Sequence, residues 1–322
     1  MENQPHNSLV TNLRHDITNG SILSLAQNIF DEIDAADSTR ADYKYRIQKF
    51  LEFLQGNLFS PNVYLAYKRH LASDDSLAVA TKNKYLAAAR VFLKELNRNG
   101  TLPVDITQNV KAFKQDKKHK TEGITEAEFD KILNQFRNDD GYVHDGSEWP
   151  EEPFFRSKTI IALLAFQGLR QIEVCRLNVE DIDLKHRKAY IRGKGRDDRE
   201  PIYLHPETVI ALTQYLDSYH YTEGPLLRSE SNSSRGTRIT SRGLYGIVTE
   251  MLLGLGIEGK TVHGFRHLFT TNLIKAFNGD LIEVSHYTRH KSLEMLTVYN
   301  DQLQTEKKLP SYYGAFGGMS FR

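Results

Sequence analysis

The sequence predicts a mainly α protein in two parts. An N-terminal helical bundle is followed by a C-terminal mixed, mostly helical domain with a small antiparallel sheet. Three observations carry that expectation. Apolar residues recur every three or four positions along most of the chain, the period of a helix with one buried face. One stretch, KAYIRGKGRDDREPIYL, instead reads as two short strands around a polar, glycine-containing turn, a hairpin. A chain of 322 residues is also long for a single hydrophobic core, so two domains are expected.

Residues 1–37 are polar and mixed and read as a flexible N-terminal arm. The bundle occupies residues 38–112. Ser38 is a good N-cap for STRADYKYRIQKFLEFLQG, where Tyr43, Ile47, Phe50, Leu51 and Leu54 share a face and Gly56 ends the run. Ser60 and Pro61 supply the cap and first turn of the next helix. A third helix, about Ala78–Leu96, buries Tyr85, Ala88, Ala89, Phe92 and Leu93 and leaves Lys82, Lys84, Arg90 and Lys94 to solvent. Residues 113–123 read as a basic linker, within a stretch (111–123) holding five lysines against Asp116 and Glu122.

Residues 124–300 form the second domain. Thr125 and Glu128 make a capping box for its first helix. The segment Asp139–Glu152 holds six acidic residues without metal-ligand spacing and reads as an exposed insertion. An apolar helix then ends at Gly168, and a short helix follows with Ile172, Cys175 and Leu177 inward. Strands are expected at Ala189–Arg192, Pro201–Leu204 and, briefly, PLLRS (225–229), with helices at Pro206–Leu216 and Ser241–Leu255. In the stretch Thr261–Tyr299, His263, Arg266 and His267 lie one turn apart, while Phe265, Leu268, Phe269, Leu273 and Ala276 form an opposite apolar face. Residues 301–322 read as a tail carrying Tyr312, Tyr313, Phe316 and Phe321 among glycines.

Composition narrows the function classes. The content of 39% hydrophobic and 26% charged residues suits a soluble globular protein, and no apolar run is long enough to span a bilayer. The first residues lack the pattern of a signal peptide, and Cys175 is the sole cysteine, which excludes an internal disulfide framework. A reducing cytoplasm is the expected compartment. The net charge of +1 is uninformative, but residues 1–120 carry 17 Lys and Arg against 13 Asp and Glu, so DNA binding must rest on local basic patches.

Singly, each candidate for chemistry has an ordinary structural reading: Arg170 as a paired helix-end arginine, Lys194 as a loop lysine, Tyr299 as core. Together, Arg170, Lys194, His263, Arg266, His290 and Tyr299 have one chemical sense. Arginine forks neutralise non-bridging phosphate oxygens. A lysine protonates a leaving oxygen, a histidine takes the proton of an attacking phenol, and the phenol forms a phosphotyrosyl ester. No carboxylate cage for Mg²⁺ is evident, so neither metal nor other cofactor is expected.

The stretches GLRQIEVCRLNVEDID, IRGKGRDDREPIYL, HGFRH and RHKSLEMLTVYND resemble, in order, the successive boxes of the tyrosine recombinase (phage integrase) family. The spacings of 24 residues from Arg266 to His290 and nine from His290 to Tyr299 fit that pattern. YLAAARVFLKEL and its bundle resemble the family's core-binding domain. The resemblance implies that Arg170 and Arg266 hold the scissile phosphate, His290 adds a hydrogen bond, Lys194 donates a proton to the departing 5′-oxygen, and His263 assists Tyr299 as nucleophile. Glu173 matches a supporting acidic position and is expected to brace His263 or Arg170. The sequence departs from the family at Thr288 and Arg289, where Leu-Gly is usual, which raises an extra basic contact from Arg289. It departs also at Phe265, usually Leu, expected to pack.

The resemblance further implies double-stranded DNA with a specific target site as partner and a homotetramer on paired sites, exchanging strands through a Holliday junction. Lys82, Lys84, Arg90, Lys114, Lys117, Lys118 and Arg289 are the candidate DNA contacts, and the tail is expected to dock on a neighbouring subunit. A type IB-like topoisomerase shares the arginine, lysine and tyrosine logic. A non-catalytic DNA-binding architectural protein would not need the whole set.

Overall fold

The computed structural model describes residues 29, 37–55, 61–115, 123–137, 143–144, 147–148, 151–193, 199–290 and 292–314. The chain divides into two compact units, Met1–Asp116 and Lys117–Arg322. Among the described residues, no helix is long and apolar enough to cross a membrane.

The first unit contains helices α1 (Asp37–Gln55), α2 (Val63–Ser73) and α3 (Val79–Arg98). Their apolar stripes meet in one core that includes Ile47, Phe50, Tyr64, Tyr67, Phe92 and Leu93. Aromatic side chains dominate it: the Phe50 and Tyr67 rings meet edge to face, 4.8 Å between centroids, and the buried Tyr64 hydroxyl donates to the Leu86 carbonyl at 2.9 Å. Helix α2 starts two residues later than its sequence signals suggest, with Asn62 rather than Ser60 at the cap and no side-chain capping bond.

The solvent face expected on α3 is corrected at two positions. Lys82 is only 8% exposed and its ammonium donates to the Ala72 carbonyl at 3.1 Å. Arg90 donates to the Val110 carbonyl and lies 5.6 Å over the Tyr64 ring. Lys82 reaches back to the end of α2, while the segment after α3 folds back over that helix and offers its carbonyl to Arg90. The same return explains Phe113, which opens the expected linker yet packs on the core. Asn83 binds its backbone in both directions, at 2.8 and 3.1 Å. Lys84 and Lys114 are exposed, whereas Lys117 and Lys118 lie outside the described residues.

The second unit opens with α4 (Glu126–Arg137), capped as the sequence predicts: Glu128 accepts from the Thr125 N–H at 2.8 Å and Thr125 Oγ1 accepts from the Glu128 N–H at 3.2 Å. Within the acidic insertion, β1 (Val143–His144) and β2 (Ser147–Glu148) pair as a minimal hairpin. Helix α5 (Glu151–Ala165) is the spine of the unit. Its Ile160, Leu163 and Leu164 are fully buried, packing with Leu212 and Tyr215 of α7 (Pro206–Tyr219) and Phe265 and Leu268 of α9 (Val262–Ala276). Burial of each such side chain contributes about 1.5–3 kcal/mol. Phe265 therefore packs as expected, with none of its surface exposed.

A short helix α6 (Gln171–Arg176) and a 3₁₀ turn at Val179–Asp181 lead into an antiparallel sheet of β3 (Ile182–Asp183), β4 (Lys188–Arg192) and β5 (Arg199–Tyr203). Ala189 and Ile191 point into the core while Tyr190 and Arg192 face out, the alternation of a half-buried strand. The strand expected at PLLRS does not form. Leu226 and Leu227 are buried, but the backbone makes only the single bridges Asn178–Pro225 and Arg228–Arg238. Helix α8 (Ser241–Gly254) precedes α9. Helices α10 (Leu281–Thr288) and α11 (Leu293–Gly314) close a separate small core of Ile274, Val284, Leu296, Tyr299 and Leu303. Helix α11 runs on through Pro310, beyond position 301, where the tail was expected to begin.

Candidate active site

Helices α9 and α11 and two turns of the second unit build the site. The first turn follows α5, where Gly168 adopts φ +56 and a Cβ there would sit 2.1 Å from the Phe269 ring. Only glycine fits both the left-handed backbone and the close approach. This turn delivers Arg170 to the N-cap of α6. Glu173, one turn on and 1% exposed, accepts from the Arg170 backbone N–H at 2.8 Å and from Arg170 Nη1 at 2.7 Å.

Arg289 supplies a third donor. It is the C-cap residue of α10, at φ 56 and ψ 38, a conformation that costs a residue with a Cβ about 1–2 kcal/mol. Its side chain is 7% exposed and Nη2 donates to Glu173 Oε2 at 3.0 Å. The guanidinium turns back to a buried carboxylate. Glu173 thus contacts both Arg170 and Arg289. Burial alone would raise the Glu173 pKa, but Arg289 and then the Arg170 backbone and side chain hold it below the usual value.

Arg266, on α9, is 3% exposed. It donates through Nη1 to the Gly168 carbonyl and through Nη2 to the Thr288 carbonyl. Burial, with Arg170 and Arg289 nearby, lowers its pKa to about 9, so the guanidinium keeps its charge at neutral pH. His290 follows directly: Nδ1 lies 2.7 Å from Thr288 Oγ1 and Nε2 lies 3.5 Å from Arg266 Nη2. Burial first, then Arg266, Arg170, Arg289 and His263, depress its pKa to about 3.

A neutral His290 at pH 7 has a consequence in acid. Between about 3 and the unfolded value near 6.5 the unfolded chain binds a proton that the folded chain refuses. Folding stability is therefore expected to fall as pH drops below about 6.5. Ring NMR signals of His290 should show no titration above pH 4 in the free protein and a raised midpoint once a phosphodiester binds. A midpoint near 6.5 in the free protein would contradict this electrostatic account.

Tyr299, on α11, is 4% exposed within the small core, its ring 4.7 Å from that of His267 and 6.4 Å from that of His290. Burial raises the phenol pKa and Arg266 opposes the shift. His267 is wedged in turn against Gly123, where a Cβ would lie 2.3 Å from its Nδ1. A pocket of about 270 Å³ opens beside Arg266, lined also by Arg170, Gln171, Ser241, Val262 and His263 among others. His263 is exposed at its rim.

The structure thus places Arg170, His263 and Arg266 on one pocket, with Glu173 and Arg289 behind Arg170, His290 against Arg266 and Tyr299 beside His290. Lys194 lies outside the described residues. Sequence reasoning missed Gly168 and Thr288, whose carbonyls receive Arg266, and the Thr288 hydroxyl that orients His290. Gly168 carried a signal, a glycine ending an apolar helix two residues before Arg170. Thr288 stood out only as a departure from the family pattern, which assigns no partner to its carbonyl or its hydroxyl. Among the described residues, no group of three or more His, Cys, Asp or Glu is placed to hold a metal ion.

Fold and site together point to one class: a helical scaffold that clusters arginines and histidines beside a tyrosine. The phage integrase family model matches residues 124–306, more than half of the chain. The chain belongs to this family, the tyrosine recombinases, enzymes that break and rejoin DNA. Curated relatives include tyrosine recombinase slr0733 of Synechocystis sp., 26% identical over 302 residues (87% of this chain and 92% of that protein). Tyrosine recombinase XerC of Roseiflexus sp. is 25% identical over 301 residues (87% and 88%). Among solved structures, the XerH site-specific recombinase in its post-cleavage complex with palindromic difH superposes with a TM-score of 0.68 at 20% identity, covering 86% of this chain and 80% of that one. A lambda integrase dimer on a COC′ core site gives 0.63 at 15% identity, covering 92% and 81%.

Proposed function

We propose that this protein is a site-specific recombinase that cleaves and rejoins double-stranded DNA through a 3′-phosphotyrosyl intermediate on Tyr299. The observation that carries the reading is the convergence of Arg170, His263 and Arg266 on one pocket, with His290 against Arg266 and beside a buried phenol. In this reading Arg170 and Arg266 bind the non-bridging oxygens of the scissile phosphate and His290 adds a hydrogen bond. The Tyr299 oxygen forms a bond to phosphorus as its proton passes to His263, and the bond from phosphorus to the 5′-oxygen breaks. Lys194 gives that oxygen its proton. The ester conserves the bond energy, so a second 5′-hydroxyl can reverse the step and join a different strand. Donors held in place before the charge develops supply the main electrostatic gain.

The solved relatives bound to DNA, whose names are those of a recombinase and an integrase, support duplex DNA as the substrate. The exposed Lys84 and Lys114, with Lys117 and Lys118, are the cations assigned to its phosphates, and such contacts make affinity salt-dependent. Residues 38–112 act as a core-binding domain, 113–123 as a basic linker, 124–300 as the catalytic domain and 301–322 as a segment docking on a neighbouring subunit. Four copies on two paired sites pass through a Holliday junction.

A nicked suicide duplex carrying the target site tests the reading. The expected product is a protease-sensitive protein–DNA adduct, formed in EDTA, whose nucleotide maps by mass spectrometry to the peptide containing Tyr299. An adduct on another residue, or a requirement for metal, would refute the mechanism. With intact paired duplexes, the sedimentation mass should correspond to four protein copies. Relaxation of any supercoiled plasmid regardless of sequence would point instead to a topoisomerase.

A further inference from the structure

We propose that Arg289 is a positioning residue of the phosphate site, holding Glu173 on Arg170 and fixing the turn that presents His290 and the Thr288 carbonyl. The inference rests on the reading of Arg170, Arg266, His290 and Tyr299 as the strand-transfer site.

The backbone supplies the first argument. Arg289 stands in the left-handed conformation that ends α10, where a residue without a Cβ is the easy occupant. An arginine held there with its side chain exposed to solvent would bear that strain for nothing. Instead the side chain is almost fully buried and reaches a residue 116 positions away in sequence. Its Nε is buried without a hydrogen-bond partner among the described residues, so the guanidinium is placed for Glu173 rather than for its own satisfaction.

The second argument is the geometry of the frame. Two segments meet around Arg266, Gly168–Glu173 and Thr288–His290. Arg266 joins them once, from the Gly168 carbonyl to the Thr288 carbonyl. The chain Arg170–Glu173–Arg289 joins them a second time, through contacts of 2.7 and 3.0 Å. Two parallel braces fix both the separation and the relative rotation of the segments, which a single brace leaves free. Arg289 does not line the pocket, so it acts through Arg170 and His290 rather than on substrate.

The charged groups around Glu173 are Arg170 beside it, Arg289 from the end of α10 and Arg266 from α9, with Glu200 of β5 acting on Arg289. Among the influences that keep Glu173 ionised, Arg289 is the largest. Its removal should therefore be felt as pH falls, when Glu173 takes a proton and lets go of Arg170.

The variant Arg289→Gly separates backbone from guanidinium, because glycine accepts the left-handed turn. Arg289→Lys keeps the positive charge. Single-turnover adduct formation on the nicked duplex would be followed from pH 5 to 9, with duplex affinity and thermal melting alongside. Arg289→Gly is expected to bind duplex as wild type does, to form adduct at least roughly tenfold more slowly, and to lose activity at higher pH on the acid side. Arg289→Lys should recover part of the rate and return the acid limb toward its original position. A wild-type rate and acid limb in Arg289→Gly overturns the proposal. So does a rate loss in both variants with the acid limb unmoved, which would make Arg289 a fold residue only. If Arg289→Gly fails to melt cooperatively, Arg289→Lys decides on the same two readings, rate and acid limb. Wild-type protein that forms no adduct on Tyr299 sinks the site reading, and this inference with it.

Discussion

Tyr299→Phe is expected to fold normally and to form no covalent adduct with DNA. The ring is held by Ile274, Val284, Leu296 and Leu303, and phenylalanine makes the same apolar contacts. Loss of a single hydroxyl changes stability by on the order of 1 kcal/mol, so a melting curve close to wild type is the control. The effect on strand cleavage is of another size. With the nucleophile deleted, the phosphate can still be bound and polarised, but no oxygen is placed to attack it. Adduct formation should fall by at least ~10³-fold, below detection in a gel assay. Burial raises the phenol pKa in the resting protein, and the positive charge of Arg266 is what opposes it. An adduct surviving in Tyr299→Phe would remove the residue from the chemistry and return it to the small core of which it is physically a part.

Arg266→Ala should be the most damaging single change for site and fold together. Two carbonyls, Gly168 and Thr288, lose their donor in a place water hardly reaches, and each such orphan costs about 1–3 kcal/mol. Loss of the phosphate fork removes a further factor of about 10²–10³ from the cleavage rate. Arg266→Lys distinguishes the two contributions. Lysine keeps a point charge but cannot reach Gly168, Thr288 and a phosphate together, because it lacks the planar fork. It should recover duplex binding more fully than cleavage. Equal recovery of both would mean that charge alone, not geometry, is what Arg266 supplies.

The helices were legible because their information is local. The capping box at Thr125 and Glu128, the apolar face of Phe265 and Leu268, and the alternation around Ala189 and Ile191 each involve residues within a turn or a strand of one another. Where the reading failed, a distant segment intervened. Lys82 and Arg90 have the spacing of a solvent face, yet the carbonyls of Ala72 and Val110 take them. PLLRS has strand composition, but its two leucines belong to the core and its backbone finds single partners instead of a ladder.

The sequence by itself determined the family, the order of the boxes and which residue types are available to handle a phosphate, since those are matters of identity and spacing along the chain. Only the tertiary structure decided which of them share a pocket and what each already holds. Glu173 is shared between two arginines, Arg266 is committed to two carbonyls, and Arg289 turns inward from a strained turn. The reason is physical: a buried charge is stable only beside its counter-charge or its hydrogen-bond partners. Apart from the local pair Arg170–Glu173, those partners lie 22 to 116 residues away, where no local pattern records them.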